Sequence, residues 1–205
     1  MKRRFENKII IGLTGGAGSG KSSVAEYIMS GHDGEFIHCD VIAHELMEPG
    51  GATYEPLLKE YGKGIMEPGS NRISRKALTL AVKDSPKGFE RLNEITHPRV
   101  TEEVLKRMEA SDHKVLIIEA ALLIESGISK LCDDVWYIYA YEEERISRIR
   151  ASRDWSVEKI KEIFENQLSE EEFRKGATFV LENHDGSETW KKEADERIML
   201  LDAIQ

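Results

Sequence analysis

Cysteine is scarce in this sequence of 205 residues, which contains two, Cys39 and Cys132. Two cysteines cannot form the several disulfides that hold small secreted domains together, so we expect a reducing, cytoplasmic compartment. Long apolar runs are missing as well, and none approaches the roughly 20 residues of a membrane span. Residues 1–8 are basic but lack the apolar stretch and cleavage site of a signal peptide. These absences predict a cytoplasmic protein that binds no membrane.

The sequence has fewer basic than acidic residues. It contains 29 Lys and Arg against 38 Asp and Glu, which gives a net charge of −9. This balance argues against non-specific attraction to nucleic acid, although it leaves room for a nucleotide in a local pocket. Hydrophobic residues make up 40% of the chain and charged residues 33%, as in folded globular proteins. The length allows a single domain with a substantial core.

Five short runs of β-branched and aromatic residues predict buried strands. They cover residues 9–13, 36–39 (ending at Asp40), 115–118, 135–139 and 178–181. Helical patterns separate these runs, so we predict an α/β domain with a mostly parallel five-stranded sheet. Because both faces of a parallel sheet are buried, its strands need not alternate between apolar and polar residues.

Two long helical segments interrupt the strand pattern. In the first, Ser74 is expected to cap one helix, Ser85-Pro86 to begin a second and Pro98 to begin a third. The third carries a stripe of Val100, Val104 and Met108. In the second segment, residues 157, 160, 164 and 168 form one apolar stripe, and Ser169 with Glu172 fits a capping box. A last helix is expected to end near Ile204.

Residues 15–22 match the phosphate-loop pattern G-x-x-x-x-G-K-[ST], between a predicted strand and a predicted helix. Glycines allow the backbone N–H groups to converge on phosphate oxygens at the positive end of the helix. Because pattern and context are both met, we predict nucleoside triphosphate binding rather than a turn without a ligand. The predicted nucleotide contacts are Gly16, Ala17, Gly18, Ser19, Gly20, Lys21, Ser22 and Ser23. Lys21 would neutralise the β- and γ-phosphates and Ser22 would bind Mg²⁺.

Further features narrow the class of nucleotide-binding protein. No Asn-Lys-x-Asp motif for guanine follows a later strand, and helicases and motors are usually longer. A short chain with two helical segments is typical of a small-molecule kinase, in which one segment holds the acceptor and the other closes over the phosphates. We therefore predict a core of about 8–40, 114–141 and 176–205, a substrate insert of about 41–113 and a lid of about 142–175.

An ordered set of motifs, from residue 9 to the C-terminal helix, resembles the dephospho-CoA kinase family. The matching segments are 11–22, 39–46, 48–50, 61–62, 72–78, 95–98, 121–127, 153–154, 167 and 181–183. The resemblance implies the three-layer fold of P-loop NTPases and ATP-dependent phosphorylation of the ribose 3′-hydroxyl of dephospho-CoA, with Mg²⁺. Two alternatives remain: a nucleotide or nucleoside kinase of the same fold, and an ATP-binding protein without transfer activity.

Two carboxylates are candidates for the chemistry. Asp40 follows the second strand, where it would take the proton of an attacking hydroxyl, bind Mg²⁺ or cap a helix. The family's catalytic base falls on Asp40, although the usual Asp-x-Asp pattern has His38 here at its first position. Glu119 interrupts an apolar run and requires a cation, hydrogen bonds or water. It would hold Mg²⁺ through water, or else cap a helix or form a salt bridge.

The remaining candidates come from the lid and the insert. Arginines crowd residues 145–153, either as solvated cations that balance neighbouring glutamates or as lid residues that contact the transferring phosphoryl group. The resemblance favours Arg153 and Arg148, with one residue more between them than is usual in the family. It also implies that His97 and Leu122, together with Asp40, contact the acceptor. A lone histidine before a proline is otherwise a structural residue.

Overall fold

The computed structural model of the chain describes residues 5, 7–120, 122–184 and 186–204. The strands are β1 (Ile9–Thr14), β2 (Gly34–His38), β3 (Val115–Glu119), β4 (Asp134–Tyr139) and β5 (Phe179–Glu182). The helices are α1 (Lys21–Gly31), α2 (Cys39–Leu46), α3 (Tyr54–Tyr61), α4 (Arg75–Asp84), α5 (Gly88–Ala110), α6 (Glu142–Ser152), α7 (Val157–Glu165), α8 (Glu170–Gly176) and α9 (Thr189–Ala203). Two residues singled out by the sequence lie outside the described residues. They are Ala121, in a segment that matches the family, and Asp185, in the predicted turn before α9. None of the described helices combines the length and apolar character of a membrane span.

The five strands form one parallel sheet in the order β2-β3-β1-β4-β5. Strand β1 lies between β3 and β4, with Ile9 beside Val115 and Ile11 beside Asp134. Every predicted strand overlaps an observed one, so the predicted α/β fold with its five-stranded sheet is confirmed. Connections between parallel strands must cross from one end of the sheet to the other, which explains the helices between them.

The main core lies between the sheet and two helices. Every residue of β1 is buried, and its residues 9, 11 and 13 form one cluster with Val24 and Ile28 of α1 and Ala194 and Ile198 of α9. Removing such side chains from water is the principal stabilising contribution to the fold. The last helix ends at Ala203, next to the predicted end at Ile204. This core fixes the end of β1, from which the phosphate loop begins.

The described chain divides into two compact units, one of residues 38–110 and one of the described residues before and after it. The 38–110 unit is helical and has its own core, with Leu57, Ile65, Leu78 and Val82 buried together. Its helix α5 packs against α2 and α4. The Ser74 hydroxyl accepts a hydrogen bond from the Ala77 N–H, which confirms the predicted cap of α4.

The sequence prediction divides α5 incorrectly. Ser85 is the residue after α4, the next helix begins at Gly88, and it continues through Pro98 to Ala110. A proline inside a helix removes one backbone hydrogen bond and costs about 3 kcal/mol. Burial of Val100 and Val104 after the proline, and packing of Leu92 and Ile95 before it, outweigh this cost and keep the helix continuous.

Two boundaries also differ from expectation. Strand β2 ends at His38, which occupies the N-cap position of α2, so Asp40 lies in the first turn of that helix rather than at its cap. The helix begins early because Cys39 and Ile42 turn their side chains into the protein interior.

The second helical segment also differs from the expected pattern. Residues 142–176 form three helices, and Leu168 lies beyond the end of α7. The capping box of Ser169 and Glu172 is confirmed at the start of α8.

Candidate active site

The phosphate loop, residues 15–20, connects the end of β1 to the start of α1. Gly15, Gly18 and Gly20 have φ values of 141°, 78° and 96°, a region that side chains disfavour. A Cβ atom on Gly15 would also lie 2.6 Å from the carbonyl oxygen of Ile138. The loop therefore takes its curled form only with glycine at these positions.

Two observations test whether phosphate groups fit this loop. Helix α1 begins at Lys21, and no side chain caps it. An anion can therefore accept hydrogen bonds from its first N–H groups, at the positive end of the helix dipole. The Ser19 hydroxyl is buried within the loop and has no hydrogen-bond partner among the described residues. A buried hydroxyl without a partner is unfavourable. Both observations favour an anionic ligand at the loop.

Lys21 lies between the loop and an acid on the neighbouring strand. Its Nζ donates to the carbonyl oxygens of Gly15 and Gly16 at 2.9 and 3.3 Å. The same atom is 3.8 Å from Oε1 of Glu119, the last residue of β3, and both side chains are mostly buried. Register explains this proximity, because Leu13 of β1 lies beside Glu119. The ion pair keeps a cation and a carboxylate together at one edge of the sheet.

Oxygen donors suited to magnesium are present at the same edge. Ser22 and Ser23 are exposed in the first turn of α1, and Glu119 supplies a carboxylate. Within the described ranges no three acidic, histidine or cysteine side chains form a metal-binding group. Mg²⁺ is commonly held by one or two protein oxygens together with water and substrate phosphates. The donor set fits that mode of binding.

Arg148 joins α6 to the end of the phosphate loop. Its guanidinium donates to the Ser19 carbonyl oxygen at 3.3 Å, to the Asn183 carbonyl oxygen at 2.9 Å and to Glu144 at 2.9 Å. Asn183 also donates from its side-chain amide to the Ser19 carbonyl oxygen at 2.9 Å. The structure therefore brings Arg148, which the sequence singles out, into contact with the loop, and adds Asn183.

Arg153 is placed differently. It is exposed at the end of α6, with its guanidinium 4.6 Å from the centre of the Trp155 ring. In the part of the chain that the structure describes, no hydrogen bond or ion pair joins Arg153 to residues 15–20. It follows the helix, whereas Arg148 lies on the face that packs against the loop.

Two residues that contact the phosphate loop are absent from the predicted site residues. Arg145 donates from Nε to the Ala17 carbonyl oxygen at 2.9 Å, and Gln167 accepts from the Ala17 N–H at 3.0 Å. Burial lowers the pKa of the Arg145 guanidinium from its usual value. The spacing of Arg145 and Arg148 was an available signal, because residues three apart share a helix face.

The predicted acceptor contacts lie in different units. Asp40 is exposed in the first turn of α2, where the helix dipole favours a carboxylate, and His97 is half-buried on α5. Burial lowers the pKa of His44, one turn after Asp40; Arg75 adds to the effect and Asp40 opposes it. Leu122, in the other unit, is 42% exposed after β3.

Comparisons with known proteins agree on one family. The sequence profile described as dephospho-CoA kinase matches residues 9–189. The dephospho-CoA kinase of Corynebacterium efficiens is 32% identical, over 92% of this chain and 94% of its own length. The dephospho-CoA kinase of Fusobacterium nucleatum is 34% identical, over 91% of this chain and 95% of its own length.

Solved structures give the same result. The dephospho-CoA kinase of Campylobacter jejuni matches with a TM-score of 0.66 at 25% identity, over 95% of this chain and 97% of its own. A shikimate kinase of Acinetobacter baumannii shares the fold over 98% of this chain and 97% of its own. Its TM-score is 0.52 at 17% identity. The profile match and the curated relatives cover most of the sequence, phosphate loop included, and on this evidence the chain belongs to the dephospho-CoA kinase family.

Proposed function

We propose that this protein transfers the γ-phosphoryl group of ATP to the ribose 3′-hydroxyl of dephospho-CoA, giving CoA and ADP. This reaction is the last step of coenzyme A biosynthesis. The observation that carries the proposal is the phosphate loop with Lys21 beside Glu119, in a chain of the dephospho-CoA kinase family. The low cysteine content, with Cys39 and Cys132 alone in the sequence, favours a cytoplasmic location as part of the same proposal.

The loop and the start of α1 bind the triphosphate. Backbone N–H groups of the loop and of the first turn of α1 donate to the phosphate oxygens, except that of Ala17, which donates to Gln167. Lys21 leaves the loop carbonyls to neutralise the β- and γ-phosphates. Ser22 and Glu119 would hold Mg²⁺, Ser22 through its hydroxyl and Glu119 through water, with Ser23 at the same helix end. Bound Mg²⁺ would supply positive charge that offsets the charge of the phosphates.

Asp40 is the proposed general base. The ribose oxygen forms a bond to the γ-phosphorus while the bond from that phosphorus to the bridging oxygen of ADP breaks. The hydroxyl proton moves to the Asp40 carboxylate. The exposure of Asp40 and its place in the first turn of α2 support this role. His97 and Leu122 contact the acceptor in the same proposal.

The lid arginines stabilise the charge that develops during transfer. One guanidinium group can donate two parallel hydrogen bonds to phosphoryl oxygens. These bonds stabilise negative charge most strongly where water is excluded. Arg148 already contacts the phosphate loop, which supports its role. Arg153, exposed at the end of α6, would reach the phosphoryl group when the segment moves over bound ATP.

The test is to incubate the purified protein with MgATP and dephospho-CoA, and to measure ADP release and product mass. We expect ADP release that depends on dephospho-CoA, and a product that is heavier by one phosphate. Conversion to the 3′-phosphate, identified by comparison with authentic CoA, would establish the position of transfer. ATP binding without acceptor-dependent ADP release would instead identify a binding protein.

A further inference from the structure

Two side chains enclose a single residue of the phosphate loop. Nε of Arg145 donates to the Ala17 carbonyl oxygen at 2.9 Å, and the Ala17 N–H donates to Oε1 of Gln167 at 3.0 Å. Nη2 of Arg145 donates to the same Oε1 atom at 3.2 Å. These bonds form a closed ring through Ala17. We call Arg145 and Gln167 the loop clasp.

The glycine at position 16 matches the loop clasp. The phosphate-loop pattern leaves this position free, and Gly16 does not have the positive φ that Gly15 and Gly18 have. A Cβ atom on Gly16 would overlap the Arg145 guanidinium, and one on Gly18 would lie 2.6 Å from the Arg145 carbonyl oxygen. Gly16 therefore leaves the space that the Arg145 guanidinium occupies, and a larger residue at this position would displace that side chain from its contacts with the loop.

Arg145 has no carboxylate partner at close range. In the described part of the chain no carboxylate lies within ion-pair distance of it and Glu142 acts on its charge from farther away, whereas Arg148 pairs with Glu144 at 2.9 Å. The partly buried guanidinium of Arg145 lies 3.9 Å from the centre of the Phe164 ring. A partly buried charge without a counter-ion is costly. An anion bound at the adjacent loop would offset that cost.

We propose that Arg145 and Gln167 are positioning residues, which hold the phosphate loop in its binding form, and that the charge of Arg145 is balanced by the triphosphate of the bound nucleotide. The inference rests on the nucleotide binding of the proposed function but not on the identity of the acceptor. A loop already fixed in shape binds phosphate without a further ordering cost. The clasp also links the loop to α6 and to residue 167 after α7, so movement of that segment alters the loop.

The first test needs no ligand. Amide hydrogen exchange of residues 15–20 is measured in the free protein for the variants Arg145→Ala and Gln167→Ala. Arg150→Ala is the matched control, because Arg150 lies on the same helix but is exposed and makes none of these contacts. We expect faster exchange in both clasp variants and wild-type exchange in the control. Unchanged exchange in both clasp variants would refute the clasp.

The second test measures the Kd for MgATP by calorimetry without any acceptor. For Arg145→Ala we expect a rise of about ten-fold, equivalent to about 1.4 kcal/mol. Gln167→Ala should raise Kd by roughly three-fold, since it removes one neutral hydrogen bond. Arg145→Lys, which keeps the charge, should recover part of the loss and serves in place of the alanine variant if that variant does not fold.

The double variant tests whether the two residues act together. Because they share a hydrogen bond, we expect the double variant to lose less affinity than the product of the single losses. Full independence of the two losses would contradict a joint clasp. If Arg145→Ala exchanged its loop amides faster but kept the wild-type Kd for MgATP, Arg145 would have only a structural role. This result would overturn the inference that the triphosphate balances its charge. Clasp-dependent MgATP binding in a protein inactive on dephospho-CoA would refute the proposed function alone.

Discussion

Lys21 and Glu119 occupy the ends of adjacent elements, with their charged atoms 3.8 Å apart in a mostly buried place. Each has a second role in the proposed reaction, Lys21 with the phosphates and Glu119 with magnesium. Phosphate oxygens would draw Lys21 away from Glu119, and the bound cation would then replace it beside the carboxylate. The ion pair therefore keeps both charges in place while no nucleotide is bound.

The substitution Glu119→Gln should weaken magnesium binding. It keeps the shape of the side chain but removes the charge that holds the hydrated cation. Loss of such an outer partner reduces metal affinity by about 10- to 100-fold. We expect the Mg²⁺ concentration for half-maximal activity to rise by that factor. The exposed Glu125→Gln is the control; an equal Mg²⁺ requirement in both variants would remove Glu119 from the metal site.

Asp40→Asn should affect turnover far more than nucleotide binding. A general base contributes about 10²- to 10⁴-fold to a rate, whereas Asp40 does not contact ATP in the proposed reaction. We expect kcat to fall by at least about 100-fold and the Kd for MgATP to stay within roughly two-fold. Asp84→Asn, an exposed carboxylate in the same unit, should behave as wild type. Similar losses of kcat and affinity would make Asp40 a structural residue.

At this scale the sequence predicts residues that belong to a local pattern. The phosphate loop follows from its glycine spacing, and Glu119 from a charge within an apolar run. The spacing of Arg145 and Arg148 and the family motif at residue 167 mark these residues, but their contact with Ala17 could not be predicted, because it spans 128 and 150 positions. Their role depends on how α6 and residue 167 pack, which residue types alone do not determine.

Asp134 joins strand β4 to β5 and α9 through hydrogen bonds and an ion pair. At the start of β4 it is 2% exposed and accepts hydrogen bonds from Arg197 of α9 at 2.7 and 2.9 Å. Trp136 donates to it at 2.8 Å, and Thr178, just before β5, donates as well. Burial raises the pKa of the Asp134 carboxyl, but these hydrogen bonds outweigh burial and lower it.

Asp134→Asn should destabilise the protein by about 3–5 kcal/mol at pH 7, because it leaves the Arg197 charge without its partner. A folded-state pKa below the unfolded value gives stability that is present above the unfolded pKa and lost as pH falls through the folded one. The difference between the proteins should therefore be constant down to about pH 5 and shrink below about pH 4. Urea unfolding at several pH values measures it.

The surface pair of Lys114 and Asp202 supplies the control, since both side chains are 46% exposed. Exposed pairs contribute about 0–1 kcal/mol, so Asp202→Asn should change the free energy of unfolding little. If the two variants unfolded at the same urea concentration, Asp134 would not join β4, β5 and α9 as described.

Elements were predictable where local chemistry decides them. Apolar runs gave the five strands, and the caps at Ser74 and Ser169 mark the starts of α4 and α8. Pro98 misled the prediction, because the local rule that proline begins a helix was outweighed by burial along both halves of α5. The end of β2 was missed for a related reason, since buried Cys39 continues the apolar run although it already begins α2.

The whole molecule distributes the proposed functions over two compact units. One holds the phosphate loop, Lys21, Glu119 and Arg148, and the other holds Asp40 and His97. The sequence analysis placed His97 in the helical insert of about 41–113 but Asp40 at the end of the core segment 8–40, whereas the compact unit begins at residue 38. Spacing could not indicate which lid arginine contacts the loop, since this depends on the packing of α6.

The most direct measurement of the central claim is a competition for a limiting amount of ATP. Dephospho-CoA, AMP and adenosine are mixed at equal concentration with MgATP and the protein, and products are identified by mass. We expect CoA to account for nearly all transferred phosphate, and Lys21→Ala protein, which lacks the phosphate-binding cation, to form almost none. Preferential phosphorylation of AMP or adenosine would contradict the assignment of dephospho-CoA as acceptor.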